Sequence, residues 1–318
     1  MDLRQIMYFA YLYEEGSFTK AAARAGVVQP ALSMQIKRLE EQFGEALFDR
    51  TSHGIRPTTL GEALYELYAP IRRDLAAAKE RALELARHSQ PFGRVRCGFP
   101  PTFFKAAIGK VVAGFTAQHA NVELELKEGY GGTLTEWVAA GDLDFALGAW
   151  VRDVPGLEHP MFFEEDLVLV SGTSLGLPRF SPCDLSQLRS LKLMIPSASQ
   201  VLGPVIRQHI KSDLVQPQRT MVVDSYFGVL EIARNSDWCA LIPATGLMDE
   251  IDRSGLHIHP LAHPAIKFRW HLIHRAEHPL SMAARLLLDD LSAAIRQQHD
   301  AWRARLAAVT PVDTKAIS

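Results

Sequence analysis

Residues 29–39 read Gln29-Pro30-Ala31-Leu32-Ser33-Met34-Gln35-Ile36-Lys37-Arg38-Leu39. Leu32, Ile36 and Leu39 fall at i, i+4 and i+7, which predicts one amphipathic helix running to Phe43 with these three on its inner stripe. Pro30 suits the first turn, where a missing N–H costs no helical hydrogen bond. The same 3.6-residue arithmetic turns Pro30, Met34, Lys37 and Arg38 to the opposite face, with Ser33 on its flank and Gln29 at its start. On the N-terminal side, Ile6, Phe9, Ala10 and Tyr13 recur at helical spacing, Gly16 ends that helix, and Ser17 caps an alanine-rich second one over 18–25. Gly26 supplies the turn into the third. On the C-terminal side, two short extended runs around Thr51-Ser52-His53-Gly54 predict a hairpin, or wing, flanked by Arg50 and Arg56 within reach of phosphates. Two short helices joined at a glycine, the second polar and basic outside, followed by a wing, describe a winged helix-turn-helix over residues 1–58. Its candidate DNA-contacting residues are Gln29, Pro30, Ser33, Met34, Lys37 and Arg38 at base edges, with Arg50 and Arg56 on the backbone. Bulk charge does not carry this reading, because residues 1–58 hold seven basic and seven acidic side chains. Their placement does: Glu40, Glu41 and Glu45 lie towards the end of the third helix, leaving its groove-facing start free of acid.

Ala21-Ala22, Gly26, Gln29 to Ser33, Gln35-Ile36, Leu39-Glu40, Leu47-Phe48-x-Arg50 and Pro57-Thr58-x-x-Gly61 together resemble the N-terminal signature of LysR-type transcriptional regulators, without a gap. The layout of the remaining chain fits that family as well. Two positions depart from its usual pattern: Val28 stands where the family usually has serine, and Met34 where it often has arginine. A competing motif, Ser17-Phe18-Thr19-Lys20, matches the S-x-x-K nucleophile pattern formally. It lacks the companion S-D-N and K-T-G segments, and Ser17 is already accounted for as a helix cap.

Residues 59–89 predict one long helix with an apolar seam at Leu60, Leu64, Leu67, Ile71 and Leu75, continued by Ala78, Ala82 and Leu85. A helix this long cannot bury such a seam alone. The break at Pro91-Phe92-Gly93 separates it from the rest of the chain, which favours a dimerisation helix. A two-fold dimer would place two recognition helices on successive major-groove faces of an interrupted palindromic operator. The family resemblance implies the same arrangement, doubled to a tetramer in many members, with RNA polymerase as a further partner.

From residue 90 to 300 strands alternate with helices, which predicts parallel sheets. The expected strands include Val95–Phe99, Val122–Leu126, Asp144–Ala149, Leu167–Ser171, Leu191–Ile195, Met221–Val223, Trp238–Ile242 and Phe268–His274. The resemblance implies a bilobed α/β effector domain like periplasmic solute-binding proteins, with lobe 1 at 90–162 and 267–300, lobe 2 at 163–266, and a tail at 301–318. Ligands of such sheets sit beyond the carboxyl ends of strands, near helix N-termini. That rule selects Pro100, Pro101, Thr102, Phe103, Tyr130, Gly131, Thr133, Trp150, Ser197, Ser199, Asp224, Ser225, Tyr226, Phe227 and Thr245. The hydroxyls suit an oxyanion and the aromatic side chains suit a ring, so the expected effector is a small organic anion such as an aromatic carboxylate.

The composition is that of a globular chain: 318 residues, 47% hydrophobic, 22% charged, net charge -2. No apolar run approaches the length of a membrane span, and the first ten residues offer no signal-peptide core, so a cytoplasmic location is expected. Cys97, Cys183 and Cys239 are odd in number and lack C-x-x-C spacing, which argues against a disulfide framework or structural zinc. His257-x-His259 has strand geometry for sharing a ligand but no accompanying Cys or carboxylate cluster. No catalytic residues, metal or cofactor are expected; the expected partners are double-stranded DNA, the effector, further copies of the chain and RNA polymerase.

Overall fold

The computed structural model describes residues 2–51, 54–87, 91–149, 153–172, 177–178, 180–188, 190–250 and 255–308. The chain divides into two compact units at residues 86 and 87.

In the first unit, α1 (Leu3–Glu15) opens with a reciprocal cap between Asp2 and Gln5 and ends where Gly16 turns left-handed. Ser17 accepts a hydrogen bond from the Lys20 N–H and starts α2 (Phe18–Ala25), which ends at a left-handed Gly26. The third helix, α3 (Gln29–Phe43), starts at Val28, which makes no side-chain cap bond. The wing pairs β1 (Phe48–Thr51) with β2 (Gly54–Pro57) antiparallel, Asp49 opposite Arg56. Glu40 ties wing to helix by accepting from the Leu47 N–H at 2.9 Å. The long helix α4 spans Thr59–Arg87. Gly61 is required at its start, because a Cβ there would collide with the Leu47 carbonyl oxygen. The core gathers Phe9, Leu12, Ala21, Leu32, Ile36, Leu39, Leu47 and Phe48 with Leu64 and Tyr68 of α4.

In the second unit, β3 (Gly93–Phe99) leads through α5 (Pro101–Phe103) and a π-helical turn (Phe104–Ile108) into α6 (Gly109–Gln118). Next come β4 (Val122–Glu128), α7 (Gly131–Ala139), β5 (Phe145–Gly148), β6 (Leu157–Glu158) and β7 (Met161–Ser171). The second lobe holds β8 (Cys183–Asp184), β9 (Lys192–Ile195), α8 (Leu202–Lys211), β10 (Arg219–Val222), α9 (Tyr226–Arg234) and β11 (Trp238–Pro243). A 3₁₀ stretch (Ala244–Glu250) and β12 (His257–His263) close it, and β13 (Lys267–Arg275) and α10 (Met282–Ala308) return to the first.

The sheet is mixed rather than parallel throughout. Its path runs β10-β9-β11-β7-β13-β5-β3-β4. The pairs β3–β4, β3–β5, β9–β10 and β9–β11 are parallel as expected, whereas β7 and β13 run antiparallel to their neighbours, and β12 pairs antiparallel with β7 but parallel with β8. The reason is β7. Its first half pairs with β13 in lobe 1 and its second half with β11 and β12 in lobe 2, so one strand crosses between lobes. The return crossing lies beside it, where the Leu167 N–H donates to the Ile266 carbonyl at 2.9 Å. The boundary expected at 300 also moves, because α10 continues to Ala308 and buries Trp302 against Phe180. Among the described residues no helix is long and apolar enough to cross a membrane.

Candidate functional site

The first unit presents α3 as its outward element. Leu32, Ile36 and Leu39 are buried, while Gln29, Pro30, Met34, Lys37 and Arg38 are exposed and Ser33 is half-buried beside them. Val28, which precedes this face, is also exposed. Lys37 touches Glu41 at 3.9 Å, with both side chains largely in solvent. Such a pair holds Lys37 weakly. Gln29 receives a bond from Thr19 at 3.3 Å, which ties the start of α3 to α2. Arg56 is exposed on β2; Arg50 stands on β1 opposite Ile55, and its side chain lies outside the described set. Two helices, an exposed polar face and a two-stranded wing form a unit able to enter a major groove and touch the flanking backbone.

The seam expected on α4 divides. Leu64 is buried and Leu60 half-buried in the chain's own core, so neither is available to a second copy. The inward face of α4 is Gly61, Leu64 and Tyr68, at i, i+3 and i+7. Leu67 (67% exposed), Ile71 (44%) and Leu75 (42%) remain outside it.

In the second unit a cleft of about 780 Å³, counted out to its open mouth, lies between the lobes. Lobe 1 contributes Pro100, Pro101 and Thr102 after β3, Tyr130 and Gly131 at the start of α7, Ala149 after β5, and Phe268 and Trp270 on β13. Lobe 2 contributes Met194 on β9, Pro196, Gln200, Val201 and Leu202 between β9 and the start of α8, Val223 to Tyr226 and Val229 around the start of α9, and Ala240 to Pro243 on β11. Among the described residues no lysine, arginine or histidine lines it. Thr102 is 8% exposed, and its Oγ1 is buried without a hydrogen-bond partner. Asp224 accepts from the Ser197 N–H at 2.8 Å and from Gln200 Nε2 at 2.9 Å, both uncharged donors. Tyr130 spans the cleft, its hydroxyl donating to the Asp224 carbonyl at 2.8 Å. The N-terminus of α7 has no side-chain cap, and its partial positive charge suits an oxygen acceptor.

Of the residues expected at an effector site, Pro100, Pro101, Thr102, Tyr130, Gly131, Asp224, Ser225 and Tyr226 line this one cleft. The others go elsewhere. Phe103 is fully buried in the core, its ring 4.8 Å from that of Trp270. Thr133 is exposed on α7, outside the lining, and Phe227 is 54% exposed on α9. Ser197 and Ser199 bond each other at 2.6 Å outside the lining. Thr245 is fully buried, its N–H donating to Glu165 at 2.6 Å and its hydroxyl meeting His299 Nε2 at 3.2 Å. Trp150 lies outside the described residues.

Behind the cleft wall, Trp270 Nε1 donates to the same Glu165. Burial pushes the Glu165 carboxyl up to about 7 against the lowering effect of its two donors. Burial also lowers the His299 imidazole, so the 3.8 Å contact between them joins two groups that both resist charging and is no strong ion pair. His259, the one metal-ligand candidate that is fully buried, meets Ser171 Oγ at 3.1 Å and the Ser181 carbonyl at 3.3 Å, so both ring nitrogens are occupied. All three cysteines are buried, and burial raises each thiol, Cys183 and Cys239 to about 12, far from the thiolate that redox chemistry needs.

Sequence reasoning missed the apolar walls. It searched strand ends for hydroxyls, and side chains such as Met194, Val201 and Val229 read as ordinary core. One signal was available: Phe268 and Trp270 are two residues apart on a strand and so share a face.

The chain matches the family model described as the LysR substrate binding domain over residues 88–296. It matches the bacterial regulatory helix-turn-helix protein, lysR family, over residues 3–62. It is 26% identical over 285 residues to the HTH-type transcriptional regulator CfxR of Cupriavidus necator, covering 89% of each chain. Full-length OxyR of Pseudomonas aeruginosa shares its fold, with a TM-score of 0.64 at 17% identity, covering 93% of this chain and 95% of that one. Full-length CbnR in complex with its target DNA shares it with a TM-score of 0.54 at 21% identity, covering 92% and 99%. The model matches span both units, and this chain belongs to the LysR family of bacterial DNA-binding transcriptional regulators, which are not enzymes.

Proposed function

We propose that this regulator binds an interrupted palindromic operator as an oligomer, a dimer or a tetramer of it, with α3 in the major groove, and changes state when a small organic effector enters the cleft between its lobes. The observation that carries the DNA half is the outward face of α3, where Gln29, Pro30, Met34, Lys37 and Arg38 are exposed while the start of the helix carries no acid. The bases would be read from this face, with Arg50 and Arg56 on phosphates. Leu67, Ile71 and Leu75 supply the exposed apolar strip for self-association. The CbnR complex is a precedent for DNA binding by this fold. RNA polymerase is a further partner under this reading.

Of the expected aromatic carboxylate, the apolar walls support the aromatic half; the α7 N-terminus and the Thr102 hydroxyl would receive a polar group, and no basic side chain among the described lining residues would pair with a carboxylate. Selection of bound duplexes from a random library with the full-length chain tests the DNA half. Enrichment of a two-half-site motif whose spacing matches a helical repeat is the expected result. Recovery of no common sequence at moderate salt would overturn it.

A further inference from the structure

We infer that the cleft selects an uncharged, ring-bearing compound carrying one hydroxyl or similar hydrogen-bonding group, and disfavours the corresponding carboxylate. This rests on the reading of the cleft as the effector site. Three observations support it. The walls are apolar, with Pro101, Ile242, Phe268 and Trp270 among them, so they replace water around a ring without hydrating a charge. Thr102 lines the cleft, and its Oγ1 is covered and has no partner in the protein, so a ligand group that reaches it completes a missing hydrogen bond. Among the described lining residues the one ionic side chain is Asp224, which has the wrong sign for an anion. Asp224 shares its charge only with uncharged donors, the Ser197 N–H and Gln200 Nε2. A ligand carboxylate would lose hydration and face Asp224 with no cation in the lining, whereas a hydroxyl would satisfy Thr102 at no electrostatic cost.

The test uses the full-length chain with N-phenyl-1-naphthylamine, a neutral fluorescent probe, displaced by naphthalene, 1-naphthol or 1-naphthoate at pH 7. The three competitors share a ring system and differ in the polar group. 1-Naphthol is expected to displace the probe about three- to tenfold more effectively than naphthalene, the scale of one hydrogen bond. That advantage should vanish in Thr102→Val, which keeps the side-chain shape. 1-Naphthoate should be the weakest of the three, and Val223→Lys, which places a cation in the wall, should raise its affinity above that of naphthalene. Displacement by 1-naphthoate equal to or better than by 1-naphthol overturns the inference, as does an undiminished naphthol advantage in Thr102→Val. Val201→Trp, at a half-buried lining position, separates the two levels of failure. If it leaves probe binding unchanged, or if the probe does not bind the folded wild-type chain, the cleft is not the effector site and both readings fall.

Discussion

Lys37 and Arg56 are both exposed cations of the first unit, yet they make different predictions because they occupy different elements. Lys37 sits on the exposed side of α3, the face that the proposed function puts in the groove. Lys37→Ala should weaken operator binding by roughly 1–3 kcal/mol while leaving binding to unrelated duplex nearly intact, since a base contact is lost. Arg56 sits on the wing. Arg56→Ala should lower affinity for all sequences and flatten the salt dependence by about one unit in log–log slope, since a phosphate contact is lost. Fluorescence anisotropy on specific and scrambled duplexes across a salt series checks both; equal losses on both duplexes for Lys37→Ala would contradict base reading. Glu165 gives a prediction in pH. Its carboxyl titrates near 4.5 when unburied and is pushed up to about 7 by burial in the folded chain. The folded state therefore holds this proton more tightly than the unfolded state. The resulting stability is fully present below pH 4.5 and is lost as pH rises through about 7. Glu165→Gln keeps an acceptor for the Thr245 N–H and Trp270 and removes the titration. Its melting temperature relative to wild type should rise between pH 5 and pH 8, whereas a constant difference across that range would show that Glu165 does not titrate there. Residues at this scale were unevenly legible. Thr102 and Thr245 read alike in sequence, as hydroxyls at strand-to-helix junctions. Only the fold reveals that Thr245 is satisfied by Glu165 and His299, which lie 80 and 54 positions away, while Thr102 is left unpaired at the cleft.

At the scale of elements, α3 was the most legible, because its periodicity, its glycine boundary and its polar face all agree locally. The helix α4 was legible in existence and length but not in which of its leucines are free. Leu60, Leu64, Leu67, Ile71 and Leu75 make one seam by spacing. The unit's core claims the first two, because the buried face is centred on Gly61, Leu64 and Tyr68, and Leu75 lies beyond it. Two substitutions one turn apart should therefore behave differently. Leu67→Glu should leave the monomer fold intact and shift sedimentation towards smaller species, since it would bury an unpaired carboxylate in a helix–helix contact. Leu64→Ala should instead destabilise the fold of the unit by about 2–5 kcal/mol, the usual cost of emptying a buried leucine site. Far-UV circular dichroism with sedimentation velocity separates the two, and an unaltered oligomer in Leu67→Glu would count against the exposed strip as the interface. The strand β7 shows the opposite limit of legibility. Alternation suggested parallel pairing, but no local feature of Met161–Ser171 says that its two halves belong to different lobes; that is decided by pairing with β11, β12 and β13, about 70 or more residues further on.

For the effector unit as a whole, the relevant quantity is the free-energy difference between open and closed lobes. The chain crosses between lobes at two adjacent points, within β7 near Leu167 and at Ile266, where a single backbone bond joins the crossings. Beyond this connection the lobes meet along α10, where His299 meets Thr245 and Trp302 packs on Phe180, and across the cleft. Across it the Tyr130 hydroxyl of lobe 1 donates to the Asp224 carbonyl of lobe 2, beside the space a ligand would occupy. One such bond contributes about 0.5–1.5 kcal/mol, and a ligand changes activity only through its differential affinity for the two states, so about 1.4 kcal/mol corresponds to a tenfold response. The Tyr130 bond is thus on the same scale as a useful switch. Tyr130→Phe keeps the ring against the cleft and removes only the hydroxyl. It should shift the free chain towards open lobes, seen as a larger radius of gyration for the isolated 87–318 unit in X-ray scattering. It should also weaken effector-cleft probes by about two- to tenfold, while operator affinity without ligand changes by less. An unchanged scattering profile together with unchanged probe affinity would mean that the other contacts between the lobes hold them and that this hydroxyl plays no part in closure.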